Sequence, residues 1–214
     1  MSGPAGHLVA LDTYPRRSQY ALFRDYADPF FSLTVSVDVT GLYLASKVEA
    51  GPSFFLGTLF ASMRAANAVP EFKQRLRPDG IWQHDFVGAG SAVRSANDTF
   101  GFAYFEWAED FEEFHSAGRQ DLERVAAAAG PLEPRHDRDD LIYHSVLPWL
   151  DFTSFKNARR GKQESIPRSV FGAYSENAAR WRMPVGVEVH HALVDGLHVG
   201  RYLQRLQSEL DRWS

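Results

Sequence analysis

The run His190-His191-Ala192-Leu193-Val194-Asp195-Gly196 concentrates most of the chemistry this chain can offer. An imidazole is the side chain best matched to taking up and returning a proton near pH 7. The residues before it alternate. Val185, Val187, Val189 and His191 share one face of an extended segment, and Gly186, Glu188 and His190 share the other. After Gly196 the period changes, and Val199, Tyr202, Leu203, Leu206 and Leu210 fall on one helical face. The reading is strand, turn, helix. It delivers His191 to a sheet rim, where a general base can be held rigidly. Taken alone, a histidine beside three valines is by default a core residue, and an aspartate before a helix is as readily its N-cap. A metal site built from His190, His191, Asp195 and His198 is disfavoured, because His190 and His191 point to opposite sides of a strand. His198 reads as an exposed or capping helix residue.

Composition narrows what that histidine could serve. The chain has 214 residues and no cysteine, which removes disulfide frameworks, thiolate metal sites and cysteine nucleophiles together. A chain of that length buries most of the surface its unfolded form exposes and needs no such staple. Lys and Arg total 23 against 27 Asp and Glu, a net charge of −4, so no global basic field points to nucleic acid. No apolar run approaches the roughly 20 residues of a membrane span. The opening MSGPAGHLVALDTYPRR lacks a basic stretch followed by an apolar core, so no signal peptide is expected. Aromatic residues make up 14%, with 16 Phe, which suits a large packed core and an aromatic-lined pocket. The expectation is a cytoplasmic protein folded as one domain over residues 1–214.

Several elements must hold the histidine in place. Pro15 precedes a helix over 16–26, with Tyr20 and Phe23 on one face. Over 31–39, Phe31, Leu33, Val35, Val37 and Val39 alternate with Ser32, Thr34, Ser36 and Asp38, the pattern of a half-buried strand. A strongly apolar helix runs over 53–69 and is closed by Pro70. Residues 81–87 and 99–107 read as strands, with a turn region at 88–91 between them. Residues 110–129 read as a helix with an acidic first turn, stopped by Gly130 and Pro131. Segments 141–155 and 169–175 are strands in part, and the charged 134–140 is a surface loop. Strands and helices mix without strict β-α-β alternation, so the fold class is α+β, a mixed β-sheet layered with helices.

The stretch HHALVDGLHVGRYLQRLQ resembles the C-terminal signature of the chloramphenicol acetyltransferase family. Tyr14-Pro15-Arg16-Arg17 is similar to that family's N-terminal segment, FFSLTVSVDVT to its first strand, and SVLPWLDFTSF (145–155) to a second signature. Together they span nearly the whole chain in the family's order. The resemblance implies a CoA-dependent acyltransferase fold assembled as a homotrimer, with active sites between subunits. It implies acetyl-CoA as co-substrate, no metal, and transfer of the acetyl group to a hydroxyl of a small acceptor, chloramphenicol or an analogue. In that scheme His191 is the general base and Ser145 a hydroxyl that donates to the developing oxyanion. Asp195 pairs with Arg16 as structural support of the histidine turn. Phe23, Phe31, Phe100, Tyr143 and Val170 fall in the acceptor pocket, and Tyr174 and Trp149 near the cofactor's adenine. Whether such an enzyme is an antibiotic-resistance determinant or a metabolic step stays open.

The chain also departs from that pattern. Val170 stands where the family commonly carries a threonine that orients a water. Ser53 and Ala173 stand where lysines lie near the CoA phosphates, and Arg159, Arg160, Lys162 or Arg168 are candidates to restore that charge. Tyr143 replaces a small polar residue. Asn157 and the run Arg168-Ser169-Val170 fall near apolar pocket positions, so the resemblance implies a more polar or reshaped pocket. Two other families share the His-x-x-x-Asp-Gly core. Dihydrolipoyl acyltransferase domains read Asp-His-Arg around the base, where this chain has His190 and Ala192. Peptide-synthetase condensation domains pair two such folds in one chain. The alternatives are a different acceptor or donor, an amine included, or a non-catalytic trimeric binding protein on the same scaffold.

Overall fold

A computed structural model of the chain describes residues 5–94, 99–127, 134–135 and 137–213. In chain order the elements are β1 (Gly6–Leu8), α1 (Arg17–Phe23), β2 (Phe30–Asp38), α2 (Thr40–Ala45), α3 (Phe54–Asn67), β3 (Gln74–Arg77), β4 (Gly80–His84), β5 (Gly88–Arg94), β6 (Phe100–Phe105), α4 (Phe111–Ala127), β7 (Leu141–Val146), β8 (Arg168–Phe171), β9 (Ser175–Asn177), β10 (Arg180–His190) and α5 (Gly196–Leu210). A seven-stranded sheet runs β2-β10-β8-β7-β5-β6, with β9 added beside β10. β7 lies parallel to both β5 and β8, and the other pairings in that sheet are antiparallel. A separate small sheet runs β1-β4-β3. This is the mixed sheet with helices that the sequence pattern predicts.

The helices cover one face of the large sheet. α3 is apolar nearly all round because it is buried nearly all round, with Leu56, Leu59 and Met63 fully enclosed. Its Ser53 is the N-cap, accepting from the Leu56 N–H at 3.4 Å. α5 buries Val199, Tyr202, Leu206 and Leu210 against the same core. β10, the longest strand described, is paired along both sides, by β2 on one and by β8 and β9 on the other, and Val185, Val187 and Val189 are enclosed. β2 is different. Its alternation faces the expected way, and Val37 is buried, but Leu33 and Val35 remain 42% and 36% exposed on an open sheet edge.

Two expectations change, and part of a third lies outside the described residues. Residues 88–91 are not a turn but the start of β5. Their glycines serve close approach: a Cβ on Gly88 falls 2.5 Å from the Phe105 carbonyl oxygen, and one on Gly90 falls 2.9 Å from the Tyr143 ring. The charged loop before β7 is not merely surface. Asp139 takes a bidentate pair from Arg77 at 2.8 and 2.9 Å, and its carbonyl accepts from the fully buried Arg75 at 2.6 Å. The helix over 110–129 is seen as α4 to Ala127, and its alanine end with Gly130 and Pro131 lies outside the described residues. No helix among the described residues is long and apolar enough to cross a membrane.

Candidate active site

His191 is the first residue beyond β10. Its N–H donates to the Pro29 carbonyl at 2.8 Å, which ties the turn to the start of β2. The imidazole lies flat on Phe23, with ring centroids 3.9 Å apart and planes 9° apart, and leans on Phe31 at 4.8 Å. The two phenyl rings fix the plane of the imidazole by packing alone. Its Nδ1 is buried without a hydrogen-bond partner. The ring is half-buried, so this histidine is not a sealed core residue.

The turn after it is gripped by one arginine. Arg16 forms an ion pair with Asp195, donates from Nε to the Leu193 carbonyl at 3.1 Å, and reaches the His191 carbonyl from Nη2 at 3.4 Å. The expected pairing is therefore present. Asp195 also caps α5, accepting from the N–H groups of Leu197 and His198 at 3.0 and 3.4 Å. Its own N–H donates to His198 Nδ1 at 3.1 Å, closing a capping box. Both readings of Asp195, cap and ion pair, hold at once. Burial opposes its charge, but Arg16 and His198 outweigh it and hold the carboxyl below the ordinary aspartate range. His198 proves to be a buried capping residue rather than an exposed one.

His190 turns to the opposite face, as a strand requires. Its Nδ1 accepts from the Ala192 N–H at 3.2 Å, and its Nε2 meets the Lys162 carbonyl at 2.9 Å, where only an N–H can donate. Burial lowers its pKa to about 4.

Ser145 stands near the end of β7, beside Val170 of β8. It opens into a cavity of about 260 Å³. Gly90 and Tyr143 form part of the floor, Phe102 and Tyr104 an aromatic wall, and Asn157, Arg160, Glu164 and Arg168 a polar rim. Tyr143 lines this cavity, with the Arg168 guanidinium 5.8 Å from its ring. Val170 is buried next to Ser145 in the sheet but does not line the cavity. Phe100 sits at the start of β6, 47% exposed, touching Phe102 without reaching the cavity.

The residues read as one site fall into two clusters. Ser145 pairs with Val170 and Val170 with Gly186 of β10, and His191, just past the end of that strand, lies five residues on. Two strand spacings and five residues put His191 and Ser145 roughly 20 Å apart within one chain. Phe23 and Phe31 lie with the histidine, and Tyr143 lies with the serine.

The two residues that the resemblance sets near an adenine, Tyr174 and Trp149, lie side by side. Ala173 donates its N–H to the Leu150 carbonyl at 2.8 Å, so Tyr174 and Trp149 flank one backbone bond. Trp149 is 65% exposed. Tyr174 packs among Tyr43, Phe54 and Trp181 at 4.9 to 5.7 Å. Two arginines put forward for phosphate binding are already engaged. Arg159 donates from Nε to the buried Glu188 at 2.6 Å and lies 4.1 Å from the Phe30 ring. Arg168 is paired with Glu164. Arg160 and Lys162 remain at the surface.

Glu188 is the residue the sequence pattern placed least well. It lies on the face of β10 away from the valines, yet it is 2% exposed. Besides Arg159 it accepts from Ser32 Oγ at 3.2 Å and the Asn157 N–H at 3.1 Å. A carboxylate in an otherwise apolar strand was the available signal. Below Ser145's strand a buried chain links His144, Ser62, Tyr202 and Ser169 at 2.6 to 3.0 Å.

Comparison with known proteins decides the family. The family model described as chloramphenicol acetyltransferase matches residues 6–207. The chain belongs to the chloramphenicol acetyltransferase family. A chloramphenicol acetyltransferase of Escherichia coli is 28% identical over 209 residues, 96% of this chain and 94% of that protein. One from Streptomyces acrimycini is 28% identical over 206 residues, 94% of this chain and 93% of that protein. A solved structure of a chloramphenicol acetyltransferase superposes with a TM-score of 0.90 at 27% identity, covering 96% of this chain and 99% of that one. A probable dihydrolipoamide acetyltransferase from Listeria monocytogenes shares the fold alone, with a TM-score of 0.64 at 15% identity over 94% of this chain and 93% of that one. This member of the chloramphenicol acetyltransferase family is therefore an acyltransferase, with the fold its signatures imply.

Proposed function

We propose that the chain acts as a cytoplasmic homotrimer, each copy one domain over 1–214, moving an acetyl group from acetyl-CoA to a hydroxyl of a small acceptor. Chloramphenicol, the acceptor in its relatives' names, is the first candidate. The observation that carries this reading is the separation of His191 from Ser145. Ser145 lines a cavity, His191 is half-buried, and neither has the other's chemistry within reach of its own chain. A second copy brings them together. The open edge of β2, with Leu33 and Val35 exposed next to Phe31, supplies an apolar surface for that copy.

In the reaction His191 takes the proton from the acceptor hydroxyl as its oxygen attacks the thioester carbonyl. A new C–O bond forms, the C–S bond breaks, and the proton passes from the imidazole to the departing sulfur. Base assistance of this kind contributes roughly 100- to 10,000-fold. The partner copy's Ser145 hydroxyl donates to the oxygen on which negative charge develops. Arg16 and Asp195 hold the turn and touch no reacting atom. The exposed indole of Trp149 beside Tyr174 offers a flat face to an adenine, which fits the co-substrate.

A thiol-release assay with acetyl-CoA and an alcohol panel that includes chloramphenicol tests the activity. Co-expression tests the shared site. Subunits carrying His191→Ala and subunits carrying Ser145→Ala are each nearly inactive alone. Mixed trimers regain intact sites wherever a normal His191 meets a normal Ser145. Absence of rescue in verified mixed trimers overturns the intersubunit reading, and absence of thiol release with every acceptor overturns the transferase reading.

A further inference from the structure

The cavity at Ser145 holds more positive donors than its own residues use. Glu164 is fully engaged: one oxygen pairs with Arg168, and the other accepts the Arg160 N–H at 3.0 Å. Arg168 spends its two terminal nitrogens on Glu164 and on the Ala158 carbonyl, the latter at 2.5 Å. Its Nε is buried with no partner. Among the described residues nothing pairs with the Arg160 guanidinium, which stands at the cavity rim. The acid is therefore consumed, while one whole guanidinium and one buried N–H remain. Phe102, Tyr104 and Tyr143 line the same cavity, Tyr143 with its ring 5.8 Å from the Arg168 guanidinium. Tyr143 pairs with Arg168 and Ser145 with Val170 in the sheet. One strand spacing and two residues set Ser145 and Arg168 roughly 8 Å apart, about the length of a benzene ring with its substituents.

We infer that the natural acceptor is a small alcohol with a flat apolar body and a carboxylate, the hydroxyl at Ser145 and the carboxylate between Arg160 and Arg168. A guanidinium meets a carboxylate in a planar, charge-assisted fork that an uncharged group cannot match. A cavity of about 260 Å³ limits the acceptor to roughly one ring. This inference rests on the transferase reading but not on chloramphenicol, which is uncharged: it puts a carboxylate-bearing alcohol in that drug's place as the natural acceptor.

The test uses two probes of one shape, 4-(hydroxymethyl)benzoate and 4-(hydroxymethyl)benzamide, with acetyl-CoA and the intact trimer. Thiol release is expected to favour the benzoate about tenfold or more in kcat/KM, the size of one charge-assisted pair. That preference falls as salt rises. In Arg160→Ala, and in the paired variant Arg168→Leu with Glu164→Leu, the ratio between the probes moves toward one. The paired variant removes both charges, so no carboxylate is stranded. Calorimetric titration of the benzoate into the protein without acetyl-CoA provides a second readout. Equal turnover of the two probes overturns the inference and leaves the transferase intact. Benzoate binding that Arg160→Ala abolishes, with no thiol release from any alcohol, supports the anion site and overturns the transferase. Neither binding nor turnover of the benzoate overturns the anion site.

Discussion

His190 and His191 are neighbours in sequence and opposites in surroundings. The His190 side of the sheet is locked by polar contacts. Both its ring nitrogens are used, Glu188 is buried against Arg159, and the 157–168 segment is stitched down over them. The His191 side is held by packing instead. Its ring packs on Phe23 and Phe31, one nitrogen has no partner, and Arg16 grips the turn around it, through two carbonyls and Asp195, without touching the ring. A fully hydrogen-bonded imidazole has nothing left with which to move a proton. One held by phenyl rings is oriented without being chemically spent. Under the proposed mechanism, a doublet of one residue type divides between structure and chemistry through the two-residue period of a strand.

The largest expected effect breaks this contrast most directly. Replacing His191 by Ala lowers kcat roughly 100- to 10,000-fold, the usual worth of a general base, while the melting temperature moves little. Replacing His190 by Ala does the reverse first. It leaves the Ala192 N–H and the Lys162 carbonyl without partners and opens a small void, a cost of about 2–4 kcal/mol. Denaturant melts and steady-state rates on both variants read the outcome. If His190→Ala removes turnover at unchanged stability, the roles assigned to the two residues are reversed.

Acid sharpens the same comparison from the locked side. His190 titrates at about 4 in the folded chain against an ordinary value of 6.5, because burial penalises its charged form. His144, buried beside Ser62, is lowered to about 4 for the same reason. Between these values the unfolded chain binds more protons than the folded one, so stability is complete above about pH 6.5 and falls as the pH drops toward 4. Each histidine contributes at most about 3 kcal/mol to that loss. Thermal melts from pH 7.5 to 4.5 trace it. A His190→Gln variant flattens the slope relative to its own neutral stability, and an unchanged slope removes His190 as a cause.

The contrast explains what was legible in the sequence. The strand, turn and helix around His191 are local: alternation, a cap and a helical stripe all lie within about thirty residues, and the resemblance to known signatures lies on the same stretch. The capping role of Asp195 follows from that local pattern, and its pairing with Arg16, 179 positions away, follows only from the resemblance, which also takes in Tyr14–Arg17. β5 was hidden because Gly88 and Gly90 are turn residues by composition, and only the neighbouring Phe105 and Tyr143 show why a side chain cannot fit there. The Glu188 pair was hidden because Arg159 lies 29 positions away in a segment without secondary structure. The division of the site into two clusters was hidden for a third reason. It depends on which residues of β7, β8 and β10 stand side by side, and register between distant strands is written in no local pattern.

The smallest effect concerns the grip on the turn. Arg16 is nearly buried, but its partner Asp195 is 31% exposed, so water screens part of the pair. Arg16→Ala is expected to cost about 1–3 kcal/mol, less than a fully enclosed pair. It also frees the carbonyls of His191 and Leu193, so the turn loses three restraints at once and kcat falls with stability. Arg16→Lys separates the two consequences. An ammonium keeps the charge opposite Asp195 but lacks the planar fork that reaches both carbonyls. Stability then returns toward wild type while kcat stays low. If the lysine variant recovers both, charge alone supports the site. If Arg16→Ala changes neither melting nor rate, the phenyl rings hold His191 unaided, and the aromatic side of the comparison is more self-sufficient than the arginine contacts suggest.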